Sequence, residues 1–168
     1  ERRKSYIGCL VEVYCLERGI RFMPVGSWTL KEVREERGVE PDECYVFGGA
    51  DTDRPHLAIE VVWTSGRLDK LEVYRKLGVQ EVWYWQKGRI QPHALRGGQY
   101  EAIAEPYVRA HIVCPAESVG TVMTLATSKR GNYINTEYIG GRARLIFDFP
   151  LAEIIFEFYD RLKSVTRG

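Results

Sequence analysis

One run of seven residues constrains the fold more strongly than any other part of the sequence. It reads LAIEVVW over residues 57–63, and every side chain in it except that of Glu60 is apolar. A continuous apolar run of this length, rather than an alternating one, is typical of a strand that is covered on both faces. The run therefore predicts a sheet flanked by helices and makes Glu60 the most unusual residue of that sheet.

The sequence around this run predicts further helices and strands. Apolar residues recur with helical spacing over 5–17 and 69–77, and Gly19 and Gly78 follow as C-caps. Extended segments are predicted over 21–30, 44–47, 57–63, 81–85 and 89–95, with a hairpin turn at 86–88. We therefore predict an α/β (α+β) domain over residues 1–101, built on a mixed sheet with flanking helices.

The pattern changes after Gly97 and Gly98. Strands are predicted over 107–113, 133–139 and 143–149, and helices from Pro115 and from Pro150. Lys129 and Arg130 form the last turn of the first of these helices, with Gly131 as its stop. The order β-α-β-β-α is the opening of a ferredoxin-like plait, whose last strand would come next. We therefore predict a second, incomplete domain over residues 102–168.

Glu60 must be paired, protonated or bound to a metal, because burying a lone carboxylate costs several kcal/mol. Asp42 begins the preceding strand, and Pro41 keeps the approach to it extended. If the two strands pair, both carboxylates can converge at one edge of the sheet. Two such carboxylates repel each other and favour a hard divalent cation. The sequence therefore predicts a metal site for Mg²⁺ or Mn²⁺ at Asp42 and Glu60.

Lys70 is the third candidate site residue. It stands with Tyr74 and Leu77 at i, i+4 and i+7 of the second predicted helix, on the face that packs against the sheet. A cation aimed at Glu60 could counter the carboxylate, orient a water and stabilise charge on a phosphate. The spacing leaves two interpretations open with equal weight. One is a catalytic set of Asp42, Glu60 and Lys70; the other is a structural Glu60–Lys70 ion pair with Asp42 in a solvated turn.

Two stretches carry a family resemblance, GVEPDECY over 38–45 and HLAIEVVWTSGRLDKLEVYRKLGVQEVWYWQKGRI over 56–90. Residues 5–101 resemble the Uma-type family of restriction-endonuclease-like proteins in the PD-(D/E)XK nuclease superfamily. The resemblance implies a Mg²⁺-dependent endonuclease acting on DNA. Asp42 then matches the family's PD aspartate, Glu60 its second acidic residue and Lys70 its helical lysine. Val62 stands where the wider superfamily has a lysine.

The same resemblance implies two further features. An acidic residue of the first helix sometimes joins such sites, and Glu12 and Glu17 are the candidates, although neither lies centrally on the apolar stripe. Nucleases of this superfamily that cut both strands are often dimers, which implies a homodimer.

A second resemblance covers residues 103–168. It is carried by IAEPYV (103–108), PAESVGTVM (115–123), KRG (129–131), TEY (136–138) and the segment 147–168. These stretches resemble the elongation-factor-G C-terminal-like domain of translation elongation factor 4, which implies a rigid, non-catalytic, ribosome-associated domain. The phosphate-binding GxxxxGK[ST] loop of a GTPase does not occur in the 168 residues. The two resemblances together favour a spliced or artificial chimera, with a rare natural fusion as the alternative.

Composition narrows the setting of these functions. The formal net charge is +1, so nucleic-acid binding would depend on a local patch rather than on an overall basic field. The four cysteines form no CxxC pair, which indicates reduced thiols in a cytoplasmic protein, and no apolar run is long enough to cross a bilayer. Two hypotheses result: a metal-dependent endonuclease, or a non-enzymatic fragment or chimera that carries a ribosome-associated domain.

Overall fold

The structure is a computed structural model that describes residues 2–26, 30–31, 38–49, 52–62, 70–155 and 157–166. The chain divides into two units, Glu1–Ala104 and Glu105–Gly168. Parts of four predicted segments lie outside the described residues, namely 27–29, Trp63, Asp69 and Phe156.

The first unit is built on a mixed sheet. Its elements are α1 (Arg2–Glu17), β1 (Phe22–Pro24), β2 (Leu30–Lys31), β3 (Gly38–Val39), β4 (Glu43–Phe47), β5 (Leu57–Val61), α2 (Lys70–Leu77), β6 (Glu81–Gln86), β7 (Arg89–Arg96) and β8 (Gln99–Ala102). Six strands form one sheet in the order β1-β4-β5-β6-β7-β8. Strands β5 and β6 are parallel, and the other neighbouring pairs are antiparallel. Strands β2 and β3 pair separately.

Helices α1 and α2 cover different faces of this sheet. The buried side chains of α1 lie one turn apart at Ile7, Val11 and Cys15, and the helix contacts β4 and β5. Helix α2 buries Tyr74 against a cluster that includes Ala58 and lies on the other face. Because successive strand residues point to opposite faces, β5 contributes side chains to both cores. This explains why the run around Glu60 is continuously apolar.

The observed elements of this unit differ from the predicted ones at β3 and β8, which were not predicted, and along one face of α1. The sequence QYEA of β8 alternates polar and apolar residues, which is typical of a strand, so a signal for this strand was present. Tyr14 was predicted on the buried stripe of the first helix, but it is 56% exposed. The buried stripe of α1 is narrower than its apolar pattern.

The second unit is a three-stranded antiparallel sheet with helices. Its elements are β9 (Tyr107–Pro115), a 3-10 turn (Ala116–Ser118), α3 (Val119–Ser128), β10 (Asn132–Ile139), β11 (Arg142–Pro150), α4 (Leu151–Ile154) and α5 (Phe158–Thr166). The strand order is β10-β11-β9. Val122, Phe147, Phe149 and Phe158 belong to one buried core between these strands and helices. The predicted fold class, a mixed sheet with flanking helices followed by β-α-β-β-α, is confirmed.

Two helix ends in this unit differ from the sequence prediction. The single helix predicted from Pro150 is divided into α4 and α5, and Glu157 between them has a left-handed φ of 58°. At the end of α3, Arg130 rather than Gly131 takes the left-handed conformation, with φ of 55°. Gly131 is needed for space, because a Cβ there would clash with Cε1 of Phe149 and lie only 2.9 Å from the Ala126 carbonyl oxygen.

Candidate active site

Glu60 is a charged residue inside the sheet of the first unit. It is 3% exposed and is the second-to-last residue of β5. In the pairing of β5 with the parallel strand β6, Glu60 lies opposite Tyr84. The strand forms because its other side chains are apolar and fill the cores beneath α1 and α2. A carboxylate in this position keeps its charge only if neighbouring groups donate hydrogen bonds to it.

Helix α2 supplies a donor to each oxygen of the Glu60 carboxylate. The Lys70 Nζ donates to Oε2 at 2.7 Å, and the Tyr74 hydroxyl donates to Oε1 at 2.5 Å. Lys70 and Tyr74 are one turn apart, so they project from the same face of the helix. The Lys70 side chain is 38% exposed, whereas Tyr74 is fully buried. Of the two groups that donate hydrogen bonds to Glu60, one is therefore open to solvent and the other lies inside the core.

Asp42 lies at the same edge of the sheet. Its Oδ2 accepts a hydrogen bond of 2.8 Å from the backbone N–H of Val61, the residue that follows Glu60. Glu43 pairs with Ile59 across β4 and β5, so continuing this antiparallel register sets Asp42 opposite Glu60. Asp42 thus accepts the backbone hydrogen bond at the end of β5, beside the buried carboxylate.

The charges of this group do not balance. Asp42 and Glu60 contribute two carboxylates, and Lys70 contributes the one ammonium group that contacts them among the described residues. Burial, followed by the nearby Glu60 carboxylate, raises the pKa of Tyr74 well above its usual value, which keeps its hydroxyl protonated as a donor. Among the residues that the structure describes, one carboxylate of this group therefore has no cationic partner, and such an arrangement favours an added cation.

The structure brings Glu60 and Lys70 into direct contact. It also places Asp42 in a hydrogen bond with Val61, the residue that follows Glu60. It does not bring the first-helix candidates to this group. Glu12 accepts a hydrogen bond of 3.2 Å from Tyr45, whose pKa is raised first by burial and then by Glu12, and this pair lies on the α1 side. Glu17 is exposed at the end of α1. Within the described residues, no three His, Cys, Asp or Glu side chains cluster as a ready metal site.

Tyr74 is the site residue that sequence reasoning missed. The helical spacing predicts Tyr74 only as one of the apolar residues that pack against the sheet, with no role for its hydroxyl. The available signal was its position one turn after Lys70, facing a strand with a buried carboxylate. A buried tyrosine hydroxyl requires a hydrogen-bond partner, and Glu60 is that partner.

The basic cluster of the second unit is neutralised by acidic neighbours. Arg130 contacts Glu105 at 2.9 Å and Glu153 at 2.7 Å, and Lys129 lies 3.8 Å from Glu153. These contacts join the end of α3 to α4 and to the segment before β9. The cluster is therefore part of a network of ion pairs that holds these elements together.

Comparisons with known proteins give different relatives for the two parts of the chain. The family model Uma2, described as "Putative restriction endonuclease", matches residues 1–124, and the elongation factor G C-terminus matches residues 102–168. Elongation factor 4 of Streptococcus thermophilus (strain LMD-9) is 55% identical over 69 residues, and that of Chlorobium phaeobacteroides is 51% identical over 72. These matches cover 40% and 42% of this chain.

The chain spans only 11% and 12% of the length of those two elongation factors. Among solved structures, a crystal structure from Thermus thermophilus matches with a TM-score of 0.37 and 17% identity, covering 89% of this chain and 26% of that one. A TM-score of this size does not establish a shared fold. No helix among the described residues is long and apolar enough to cross a membrane.

Proposed function

Because this chain belongs to the Uma2 family of restriction-endonuclease-like proteins, we propose that it is a divalent-metal-dependent endonuclease that hydrolyses phosphodiester bonds of DNA. We assign the activity to residues 1–101, and the segment 102–168 to an elongation-factor-G C-terminal-like domain. The observation that carries the proposal is the buried Glu60 carboxylate. It accepts a hydrogen bond from Lys70, and the next residue, Val61, donates its backbone N–H to Asp42.

The donor groups fit a hard divalent cation such as Mg²⁺ or Mn²⁺. Such ions prefer carboxylate oxygens and retain several waters, so two carboxylates are a sufficient protein contribution. In the described part of the chain, Oδ1 of Asp42 accepts no hydrogen bond, and each Glu60 oxygen has one donor and a second lone pair. Asp42 and Glu60 would therefore hold the ion.

The side chains have separate roles in this proposal. When bound, the cation supplies Lewis-acid polarisation of the phosphate and acidifies a water. Lys70 has two ammonium protons left after its bond to Glu60, and its partial exposure lets them reach solvent. Lys70 can therefore orient the attacking water or stabilise the charge that develops on the phosphate oxygens. This is the chemistry that a lysine at position 62, where Val62 stands, would otherwise supply.

The test combines metal titration with DNA cleavage by the full chain. Wild type should bind Mn²⁺ in calorimetry and convert supercoiled plasmid to open or linear forms with Mg²⁺ or Mn²⁺. Glu60→Ala should lose both properties while keeping its fold by circular dichroism. Glu72→Ala is the matched control, because Glu72 is an exposed carboxylate on the same helix that pairs with Arg75. Cleavage by Glu60→Ala at the wild-type rate would disprove the proposed site.

The proposal also covers the substrate, the oligomeric state and the cellular location of the protein. DNA is its substrate, a homodimer would cut both strands, and a cytoplasmic location suits its reduced cysteines. Light scattering of the full chain with and without a DNA duplex measures the oligomeric state. A monomer under both conditions would restrict the proposal to cleavage of one strand at a time.

The second candidate function is ribosome association without catalysis. The specific observation that favours it is the 51–55% identity of the second segment to elongation factors 4. Cosedimentation with purified ribosomes at increasing salt tests it, with a basic protein of similar size as the control. Sedimentation no stronger than that of the control would exclude a specific ribosome site.

A further inference from the structure

The Tyr74 hydroxyl has a task that packing alone does not explain. The side chain is fully buried in the core between α2 and the sheet, where a phenylalanine would fill almost the same space. A buried hydroxyl contributes to stability only through its hydrogen bond. Its partner is Oε1 of Glu60 at 2.5 Å, a short bond of the kind made to a charged acceptor.

The two donors from α2 differ in how firmly they can hold Glu60. Lys70 has a long, flexible side chain, partly exposed, whose ammonium is open to water. Tyr74 has a rigid ring locked by its neighbours in the core, so its hydroxyl is a fixed point. The Tyr74 bond therefore determines the rotation of the carboxylate, and Lys70 adapts to it.

We propose that Tyr74 is a positioning residue that fixes the orientation of the Glu60 carboxylate, so that Oε2 meets Lys70 and the outer lone pairs remain available to a divalent cation. The metal part of this inference rests on the proposed function, whereas the Glu60–Lys70 part does not. Residues that orient a ligand by hydrogen bonds commonly change metal affinity by about 10- to 100-fold when they are replaced.

The test replaces only the hydroxyl, in Tyr74→Phe of the full chain. Tyr100→Phe is the matched control, because its hydroxyl makes an equally short bond of 2.5 Å and its ring packs on the same core, but its acceptor is the carbonyl of Val79. Both variants lose one hydroxyl with a short hydrogen bond, from a buried ring in Tyr74 and a half-buried ring in Tyr100, so a merely structural effect should appear in both. Glu60→Ala marks the complete loss of the site.

Two readouts are measured on each protein. The first is the Mn²⁺ dissociation constant by calorimetry, which should rise about tenfold or more in Tyr74→Phe and stay within about twofold in Tyr100→Phe. The second is the rate at which Lys70 is acetylated by a small reagent, followed by mass spectrometry. We expect faster labelling in Tyr74→Phe, because a Glu60 free to rotate pairs less firmly with Lys70. Trimethylamine N-oxide is added to all samples to keep a destabilised variant folded.

The outcomes separate this inference from the proposed function. Unchanged or tighter Mn²⁺ binding with unchanged Lys70 labelling in Tyr74→Phe overturns the positioning role and leaves the endonuclease proposal intact. No Mn²⁺ binding by wild type overturns the metal site. In that case faster Lys70 labelling in Tyr74→Phe but not in Tyr100→Phe still supports the positioning of Glu60, and labelling of Tyr74→Phe at the wild-type rate overturns it.

Discussion

At the scale of single residues, the buried charge of Glu60 is the feature that connects stability with chemistry. Its carboxylate is held by the ammonium of Lys70 and the hydroxyl of Tyr74, both from one helix. A buried ion pair is weak evidence for stability, because desolvation offsets much of the attraction. Removing one partner is costly nonetheless, since it leaves the other charge buried without compensation.

We expect Lys70→Met to lower the free energy of unfolding by about 1–2 kcal/mol, below the usual cost of breaking a buried pair because Lys70 is partly exposed. Urea unfolding measures the change. The double variant Glu60→Gln/Lys70→Met should recover part of the loss, because the amide no longer needs a cation. A double variant less stable than Lys70→Met would show that the charge of Glu60 is not what requires Lys70.

Three tyrosines, two buried and one half-buried, predict a loss of stability at alkaline pH. Burial is the main cause that raises the pKa values of Tyr45, Tyr74 and Tyr100 above the ordinary value of 10.0. Above pH 10 the unfolded chain therefore releases protons that the folded chain retains. The folded state then binds more protons than the unfolded state, so the free energy of unfolding falls as the pH rises.

The expected slope is at most about 1.4 kcal/mol per pH unit for each of these tyrosines. Chemical unfolding between about pH 9 and pH 11 measures it, and Tyr100→Phe should reduce the slope by about one tyrosine's share. A constant free energy of unfolding over this range would contradict the assignment.

At the scale of elements, glycines in the second unit have opposite roles. Gly131 follows α3 where its Cα faces the ring of Phe149. Gly120 lies in the first turn of α3, and a methyl group added there would meet open space, with no atom of the described residues within 4 Å of its Cβ position. One glycine is required by close packing, and the other only weakens a helix.

Gly131→Ala should lower the free energy of unfolding by about 1–3 kcal/mol, because the added methyl group overpacks the core against Phe149. Gly120→Ala should instead raise it by a few tenths of a kcal/mol through helix propensity. Thermal unfolding of both variants gives the comparison. Equal shifts in the same direction would contradict the close approach at Gly131.

At the scale of the whole molecule, one chain carries two units that match different families. The Uma2 match over residues 1–124 extends past the end of the first unit, and the elongation factor G match begins at residue 102. The proposed chemistry belongs to the first unit. Its effect on the whole chain can be measured through linkage, because a ligand that binds only the folded state stabilises that state.

Mn²⁺ at about ten times its dissociation constant should raise the free energy of unfolding by about 1.4 kcal/mol. Calorimetric scans with Mn²⁺, and again after addition of a chelator, measure the increase and its reversal. Glu60→Ala should show no such increase. Equal stabilisation of wild type and Glu60→Ala would mean that the ion binds elsewhere on the chain.

The sequence by itself determined most helices and strands, and it made Glu60 and Lys70 prominent. These features follow from local periodicity, since an apolar side chain every second or every third to fourth residue selects a strand or a helix. The glycine turns, such as Gly78 with φ of 69°, were also predictable because they need only the residue itself.

Only the tertiary structure decided which atoms meet. The Asp42 bond to the Val61 N–H depends on the register of β4 against β5, and the Tyr74 bond to Glu60 depends on where α2 rests on the sheet. The division between α4 and α5 and the close approach at Gly131 likewise depend on the core. Such contacts join residues far apart in the chain, so they are set by packing and strand register, which no local pattern encodes.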